Sequence, residues 1–261
     1  MIAVIFFFIH FLGTLPYAAR VVGVRTKMLA LSFTLFNIIA LIARTIQGFQ
    51  TPYLAKYMET NLPTTPAWTP LPFFYWLIGI SVVGCIAGIF FLPATTRIFT
   101  KGVGHYYRSR SLKRVILMAF TKKGLSFFFS SLSFQPMRAI GFLFPFKHLP
   151  LRLFIYHVIA TACVTVGPLS AIYAGYLHPE FRSTASSLAF IINGIAVLIM
   201  FLLIDPPLAA MTEDTVQGKM EEPFFSRCLA WFVVARVFGT ALAAVLLLPF
   251  AKLVAVLALI M

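Results

Sequence analysis

Acidic residues, and charge in general, are scarce in this chain. Only 7 of its 261 residues are Asp or Glu, and charged side chains of both signs together make up 11%. A typical soluble domain carries about 25% charged residues. With 61% hydrophobic residues and a mean hydropathy of +0.95, the composition excludes the soluble class and predicts an integral membrane protein.

Cysteine is also rare, and common catalytic and nucleotide-binding motifs are absent. The three cysteines, Cys85, Cys163 and Cys228, lie in or beside apolar runs without metal-type spacing, so we interpret them as packing residues. The sequence contains no H-E-x-x-H, G-x-S-x-G or G-x-x-x-x-G-K-[ST] motif, and no carboxylate cluster within an apolar run. These absences argue against an enzyme, a metal site or a bound cofactor. They also predict that any transport is passive or driven by an ion gradient or the membrane potential.

Basic residues are the charge that the chain does have. It contains 21 Lys and Arg, which gives a net charge of +14. In a soluble protein this excess would suggest nucleic-acid binding. Here the bases lie mostly in short connections between apolar runs, so we expect membrane lipids with anionic headgroups to be the partner, and no nucleic acid.

Six apolar runs are long enough to cross a bilayer as helices. We predict an all-α integral membrane protein with a single polytopic domain and transmembrane helices at about residues 2–19, 28–46, 72–92, 152–176, 183–204 and 228–248. The motif Asp205-Pro206-Pro207 is expected to end the fifth helix.

The connection between the third and fourth predicted helices is strongly basic. Residues 94–152 contain eleven Lys and Arg and no acid. We expect residues 94–151 to form amphipathic interfacial helices on the cytoplasmic membrane surface. The alternative is that residues 115–134 span the membrane or form a re-entrant hairpin, which would place Lys122 and Lys123 in hydrocarbon at a cost of about 2.5–3.5 kcal/mol each.

The distribution of bases also predicts the orientation in the cell membrane. With six crossings and the N-terminus outside, sixteen Lys and Arg fall in cytoplasmic segments. Only Lys56, Arg182 and Lys252 fall in outer ones. Because cytoplasmic loops of membrane proteins are enriched in bases, we expect a multi-pass protein with its N-terminus outside.

Polar side chains recur on one face of several predicted helices. At about 100° per residue, such rows face protein or water rather than lipid. The plainer interpretation is that they join neighbouring helices, or that Arg44 extends to the interface. The interior polar residues that we select as candidate cavity contacts are His10, Asn37, Gln47, His157 and Asn193.

Two separated blocks of sequence are specific enough to suggest a family. The first contains GVRTK at residues 23–27, LFNII at 35–39 and ART at 43–45, followed by a Gln and a Pro. The second is GYLHPEFRSTASSLAFIINGIAVLIMFLLIDP at residues 175–206. Together they resemble the Amj family of bacterial membrane proteins, the alternate lipid II flippases. An acidic residue often precedes the Thr-Leu pair in that family, where this chain has Gly13.

The resemblance implies a transporter that moves lipid II, the undecaprenyl-diphosphate-linked peptidoglycan precursor, from the inner to the outer leaflet. Arginine suits a diphosphate because its planar fork donates paired hydrogen bonds and keeps its charge. We expect binding at successive depths, by Arg20, Arg25 and Lys27 at the cytoplasmic mouth, Arg236 near mid-depth and Arg44 in the outer half. Alternatively, Arg236 pairs with an acid, Asp205 or Glu180, as a structural strut.

A second hypothesis comes from a different functional class. The protein is then a scaffold that transports nothing and recruits cell-wall or division proteins through its basic inner surface. In that case Arg44 and Arg236 are dispensable, whereas reversing the charge of the segment from residue 97 to residue 152 abolishes function. Assembly into a homo-oligomer is compatible with either hypothesis.

Overall fold

The computed structural model describes residues 1–61, 69–111 and 150–261, together with four single positions between 121 and 130. Within these ranges the chain is helical and contains no β-strand. Six stretches are long and apolar enough to cross a membrane, which confirms the predicted all-α membrane fold. They are Ile2–Thr26, Leu29–Asn61, Leu71–Ser109, Leu151–Leu177, Pro179–Val216 and Glu222–Ile260.

The first span consists of two helices joined at a proline. Helix α1 covers Ile2–Thr14 and α2 covers Pro16–Thr26. Because proline has no N–H to donate into a preceding turn but is well suited to the start of a helix, Pro16 begins α2. The span therefore ends later than residue 19, the end predicted from the sequence.

The second span also exceeds its predicted length. Helix α3 covers Leu29–Gly48, and α4 follows at once over Gln50–Asn61. The chain between the predicted second and third helices, residues 47–71, is therefore helical up to Asn61, and residues 62–68 lie outside the described part. As a result, the second span extends well past residue 46.

Helix α5 covers Leu71–Ser109, and its 39 residues include Pro93. At 1.5 Å per residue it is about 58 Å long, roughly twice the hydrocarbon thickness of a bilayer. The structure thus ends this helix at Ser109 rather than near residue 92, and the first part of the basic segment continues α5. Most of the remainder, including nearly all of residues 115–134, lies outside the described residues, so the interfacial helices and the hairpin alternative stay predictions.

Helix α6 covers Leu151–Leu177, and a short 3-10 turn at Pro179–Phe181 leads into α7, Arg182–Ile199. A π turn, Met200–Ile204, then connects α7 to α8, Asp205–Val216. Helix α9 covers Glu222–Ile260.

The expectation that Asp205-Pro206-Pro207 ends the fifth helix is wrong, because the chain stays helical through the π turn. Neither proline has an N–H to donate to the carbonyl four residues before it. The Asp205 N–H instead bonds the Met200 carbonyl, which widens the turn. Both prolines then lie in the first turn of α8, where a backbone N–H has no intrahelical partner in any case.

Helix α6 is the centre of the bundle and packs on α7 and α9, while α1 packs on α5. Small residues allow the closest approaches. At Gly239 of α9, an added methyl group would collide with the Val158 carbonyl and with Thr161 of α6. Helix α3 lies at the edge of the bundle and packs mainly on α1 and α2, which leaves a gap beside it.

Candidate functional site

A cavity of about 350 Å³ lies between α1, α2, α3, α6, α7, α9 and the start of α8. Its walls combine apolar side chains with polar ones at the positions where the sequence shows one-sided polar rows. Eight of the twelve residues predicted from the sequence line it, namely His10, Asn37, Arg44, Gln47, His157, Asn193, Asp205 and Arg236. The structure therefore brings polar residues from six separate helices together around one space.

Arg236 lies on the wall that α9 contributes. Its guanidinium lies directly against Gly13 of α1, so any side chain at position 13 would contact it. Its Nε is buried without a hydrogen-bond partner. Its positive charge interacts electrostatically with His10 of α1, Tyr17 of α2 and His157 of α6. Arg236 therefore lies where these three helices meet α9.

The acids expected to pair with Arg236 have other partners. An Asp205 oxygen lies 2.9 Å from Nη2 of Arg20, and Glu180 lies 3.3 Å from Nδ1 of His178. Across residues 1–61, 69–111 and 150–261, the ion pairs found do not include Arg236. The strut between Arg236 and Asp205 or Glu180 is therefore absent from the described part of the protein.

A buried polar network surrounds this arginine. The Tyr17 hydroxyl lies 2.9 Å from Nε2 of His157. Nδ1 of His10 lies 3.4 Å from the Thr240 hydroxyl and 3.7 Å from the Cys85 sulfur. Because Cys85 is fully buried, it does pack in the interior as predicted, but it also borders this network. The contacts fix both histidines at the cavity wall.

The cavity reaches the side of the bundle next to α3. Arg44 is exposed, and its guanidinium carbon lies 5.0 Å from the centre of the Phe201 ring in the π turn. Leu41 and Phe201 line the cavity although they are 66% and 50% exposed. Since α3 does not pack closely on α7, the cavity has a lateral opening, bridged by the contact between Arg44 and Phe201.

The basic residues of α2 lie at one end of this cavity and do not line it. Arg20 is buried, whereas Arg25 and Lys27 are exposed. Nε of Arg25 lies 2.8 Å from a carboxylate oxygen of Glu222. Arg44 and Arg236, by contrast, face the same compartment. The predicted series of depths across the membrane stays a prediction.

Comparisons with known sequences agree with the resemblance seen in the two sequence blocks. The sequence model of the Amj family, described as "Alternate to MurJ", matches residues 5–258. The chain belongs to the Amj family. The Amj-family relative "Lipid II flippase Amj" of Bacillus subtilis (strain 168) is 31% identical over 250 residues, which cover 95% of this chain and 91% of the relative. No solved structure matches the chain.

Some features of this Amj protein have no signal in the sequence. A second cavity, of about 430 Å³, lies between α4, the end of α6 and the start of α7, and Glu59, Glu180 and Arg182 line it. These residues are far apart in the chain and follow no motif, so only packing brings them together. The cavity does show that the ends of α4 and α6 lie on the same side of the bundle.

Proposed function

We propose that this protein is a lipid II flippase, which carries the peptidoglycan precursor from the inner to the outer leaflet of the cytoplasmic membrane. The observation that carries the proposal is the cavity with Arg44 and Arg236 on its walls and an opening toward the lipid. An arginine in a membrane interior is costly unless it meets a partner or water. A diphosphate supplies that partner.

The cavity and its lateral opening would hold different parts of such a substrate. Its diphosphate and the adjoining sugar would enter the cavity, where Arg44 and Arg236 donate charge-assisted hydrogen bonds. The polyprenyl chain would stay in the bilayer and pass through the opening beside Phe201. His10, Asn37, Gln47, His157 and Asn193 supply further polar contacts, and Lys27 attracts the anion at the rim, whereas Arg25 is already paired with Glu222.

Passage of the whole headgroup requires α3 to move. The cavity is at the lower end of the range for small-ligand sites, about 300–1,000 Å³, and is too small for a disaccharide with a pentapeptide. The span that contains α3 is the least buried of the six, so its displacement disrupts few contacts. A flippase breaks no bond in its substrate, and this accounts for the lack of a catalytic motif.

We further propose that the N-terminus faces the outside. The ion pairs Arg20–Asp205 and Arg25–Glu222 join α2 to the starts of α8 and α9 on one side of the bundle. The second cavity, which Glu59 and Arg182 line, lies on the opposite side of the bundle. Of the described bases, Arg108 and Arg110 at the end of α5 and Arg152 at the start of α6 also belong to the first of these sides, which the charge rule makes cytoplasmic.

Cysteine labelling tests this orientation. In a protein without its native cysteines, we expect cysteines at Lys56 and Arg182 to react with an impermeant reagent added outside intact cells. Cysteines at Arg25 and Arg110 should react only after the cells are opened. Labelling of position 182 only in opened cells would show that residues 112–149 add a crossing.

Complementation tests the transport function. In cells depleted of their essential lipid II flippase, expression of the protein should restore growth and the accessibility of lipid II at the outer surface. An Arg44→Ala, Arg236→Ala double variant is the matched control and should fail although it inserts normally. If the wild type inserts but restores neither property, the flippase proposal is wrong. If the double variant works as well as the wild type, the scaffold hypothesis gains support.

A further inference from the structure

The ion pair between Arg20 and Asp205 separates a buried cation from the cavity. Asp205 lines the cavity and its side chain is 28% exposed, whereas that of Arg20 is 3% exposed. Phe36 lines the same wall, and its ring centre lies 4.7 Å from the Arg20 guanidinium carbon. The carboxylate of Asp205 therefore stands between Arg20 and the cavity, in the position that an anion from the cavity would take.

Arg20 is only partly satisfied by this carboxylate. The bond runs from Nη2 to a single oxygen of Asp205, while Nε and Nη1 are buried without a hydrogen-bond partner. A guanidinium has five N–H donors that suit paired bonds to an oxyanion. Because unpaired donors in a buried site are unfavourable, an anion with more oxygens would satisfy Arg20 better than Asp205 does.

The backbone next to Asp205 gives the side chain a means of withdrawing. Asp205 follows the π turn directly, and Met200 and Ile204 of that turn also line the cavity. A π turn contains one residue more than an α turn, and such turns occur frequently at functional sites. Pro206 and Pro207 donate no backbone hydrogen bond. A change of the π turn toward α geometry would therefore break few backbone hydrogen bonds.

We propose that Asp205 is the resting counter-ion of Arg20 and that the diphosphate of the substrate displaces it. Arg20 then becomes the third arginine of the binding site, together with Arg44 and Arg236. This inference rests on the proposed transport of a diphosphate lipid. It also gives Asp205 a role in release, because the carboxylate competes with the diphosphate for Arg20 and returns when the substrate leaves.

The chain offers a matched control for this ion pair. Arg25 lies on the same helix and forms the same type of bond to Glu222, but both side chains are about half exposed and neither lines the cavity. Exposed pairs of this kind contribute little. Glu222→Gln therefore removes the carboxylate of an arginine ion pair, as Asp205→Asn does. It does not free an arginine beside the cavity.

Binding measurements with purified protein in nanodiscs test the proposal. The probes are lipid II, undecaprenyl diphosphate and uncharged undecaprenol. We expect Asp205→Asn to bind both diphosphates about tenfold more tightly, which corresponds to removal of a competing contact worth ~1.4 kcal/mol. Binding of undecaprenol should not change, and Glu222→Gln should bind all three probes as the wild type does. Unchanged or weaker diphosphate binding by a folded Asp205→Asn protein would overturn the proposal.

A double variant decides the question if Asp205→Asn does not fold. Arg20→Gln with Asp205→Asn removes both charges and keeps a neutral hydrogen-bonded pair. It should bind diphosphates more weakly than the wild type, because Arg20 is lost as a ligand. Wild-type affinity in this double variant would show that the pair is only structural.

The same measurements separate this inference from the proposed function. If the wild type binds undecaprenyl diphosphate but not lipid II, and Asp205→Asn tightens that binding, the flippase proposal is wrong and the role of Asp205 stands. If the wild type binds lipid II and Asp205→Asn leaves the affinity unchanged, only the role of Asp205 is refuted. Binding of neither diphosphate by the wild type would refute both.

Discussion

Arg236 combines three properties in a single side chain. It lies on a helix that crosses the membrane, it faces a cavity, and its guanidinium packs against Gly13 of α1. A carboxylate at position 13 would neutralise it, but this chain has none there. The positive charge is therefore available to an anion from the cavity.

Arg236→Lys tests whether this position requires a guanidinium. Lysine keeps the charge but loses the paired donors, and a charged hydrogen bond contributes about 1.5–3 kcal/mol. We expect the rate of lipid II flipping in proteoliposomes to fall at least about tenfold, with no loss of thermal stability, and Arg236→Ala to weaken binding as well.

Arg227→Lys, a change of the same type on the same helix but away from the cavity, should leave the flipping rate unchanged. Equal flipping by wild-type protein and Arg236→Lys would show that position 236 needs only a charge. Loss of folding in both variants of Arg236 would instead assign it a structural role.

At the scale of residues, helical spacing predicts which polar side chains share one face of a helix. Asn37, Arg44 and Gln47 fall on one side of any α-helix, and their common face follows from 3.6 residues per turn. The ion pairs could not be predicted in this way. Asp205 and Arg20 are 185 positions apart, and their contact depends on how α2 packs against α8. Because Arg20 and Arg236 carry the same charge, charge alone did not indicate which of them pairs with Asp205.

At the scale of elements, glycines set the distance between helices. Gly84 of α5 lies so close to α1 that an added methyl group would collide with the Phe7 carbonyl, whereas Gly79 of the same helix has nothing within 4 Å of that position. Glycine spacing in the sequence suggests close contact at both positions. Only the structure distinguishes the residue at the interface from the one facing outward.

Alanine substitution separates these two roles. Gly84→Ala should destabilise the protein by about 1–3 kcal/mol, because the crowded helices must move apart. Gly79→Ala should be neutral or slightly stabilising, since alanine favours a helix over glycine by up to about 1 kcal/mol. The measurement is the midpoint of thermal unfolding in detergent. Equal midpoints for the two variants would contradict the close packing of α1 on α5.

Helix ends were harder to predict than helix positions. Pro93 lies inside α5 and Pro206 follows the π turn, although each would normally suggest an end. At Pro93 the long apolar run favours continued helix, because unbonded backbone groups are costly in a membrane. At Pro206 the π turn before it keeps the chain helical. The sequence signals the local disruption at a proline, but the surroundings decide whether the chain ends, bends or continues.

At the scale of the whole molecule, the charged side chains of the cavity determine how much charge moves through the membrane potential during transport. Asp205 neutralises Arg20, so the empty cavity presents the charges of Arg44 and Arg236. A bound diphosphate cancels them. We therefore expect the loaded protein to change conformation almost without moving charge, and the empty protein to return with a positive charge.

A membrane potential then acts on one half of the cycle. Each elementary charge that crosses 100 mV gains about 2.3 kcal/mol, and an inside-negative potential draws the empty site back toward the cytoplasm. In proteoliposomes with a potassium diffusion potential, repeated turnover should accelerate while a single flipping event does not. Acceleration of both by the same factor would contradict this assignment. The cell's voltage would thus supply directionality to wall-precursor export without any ion passing through the protein.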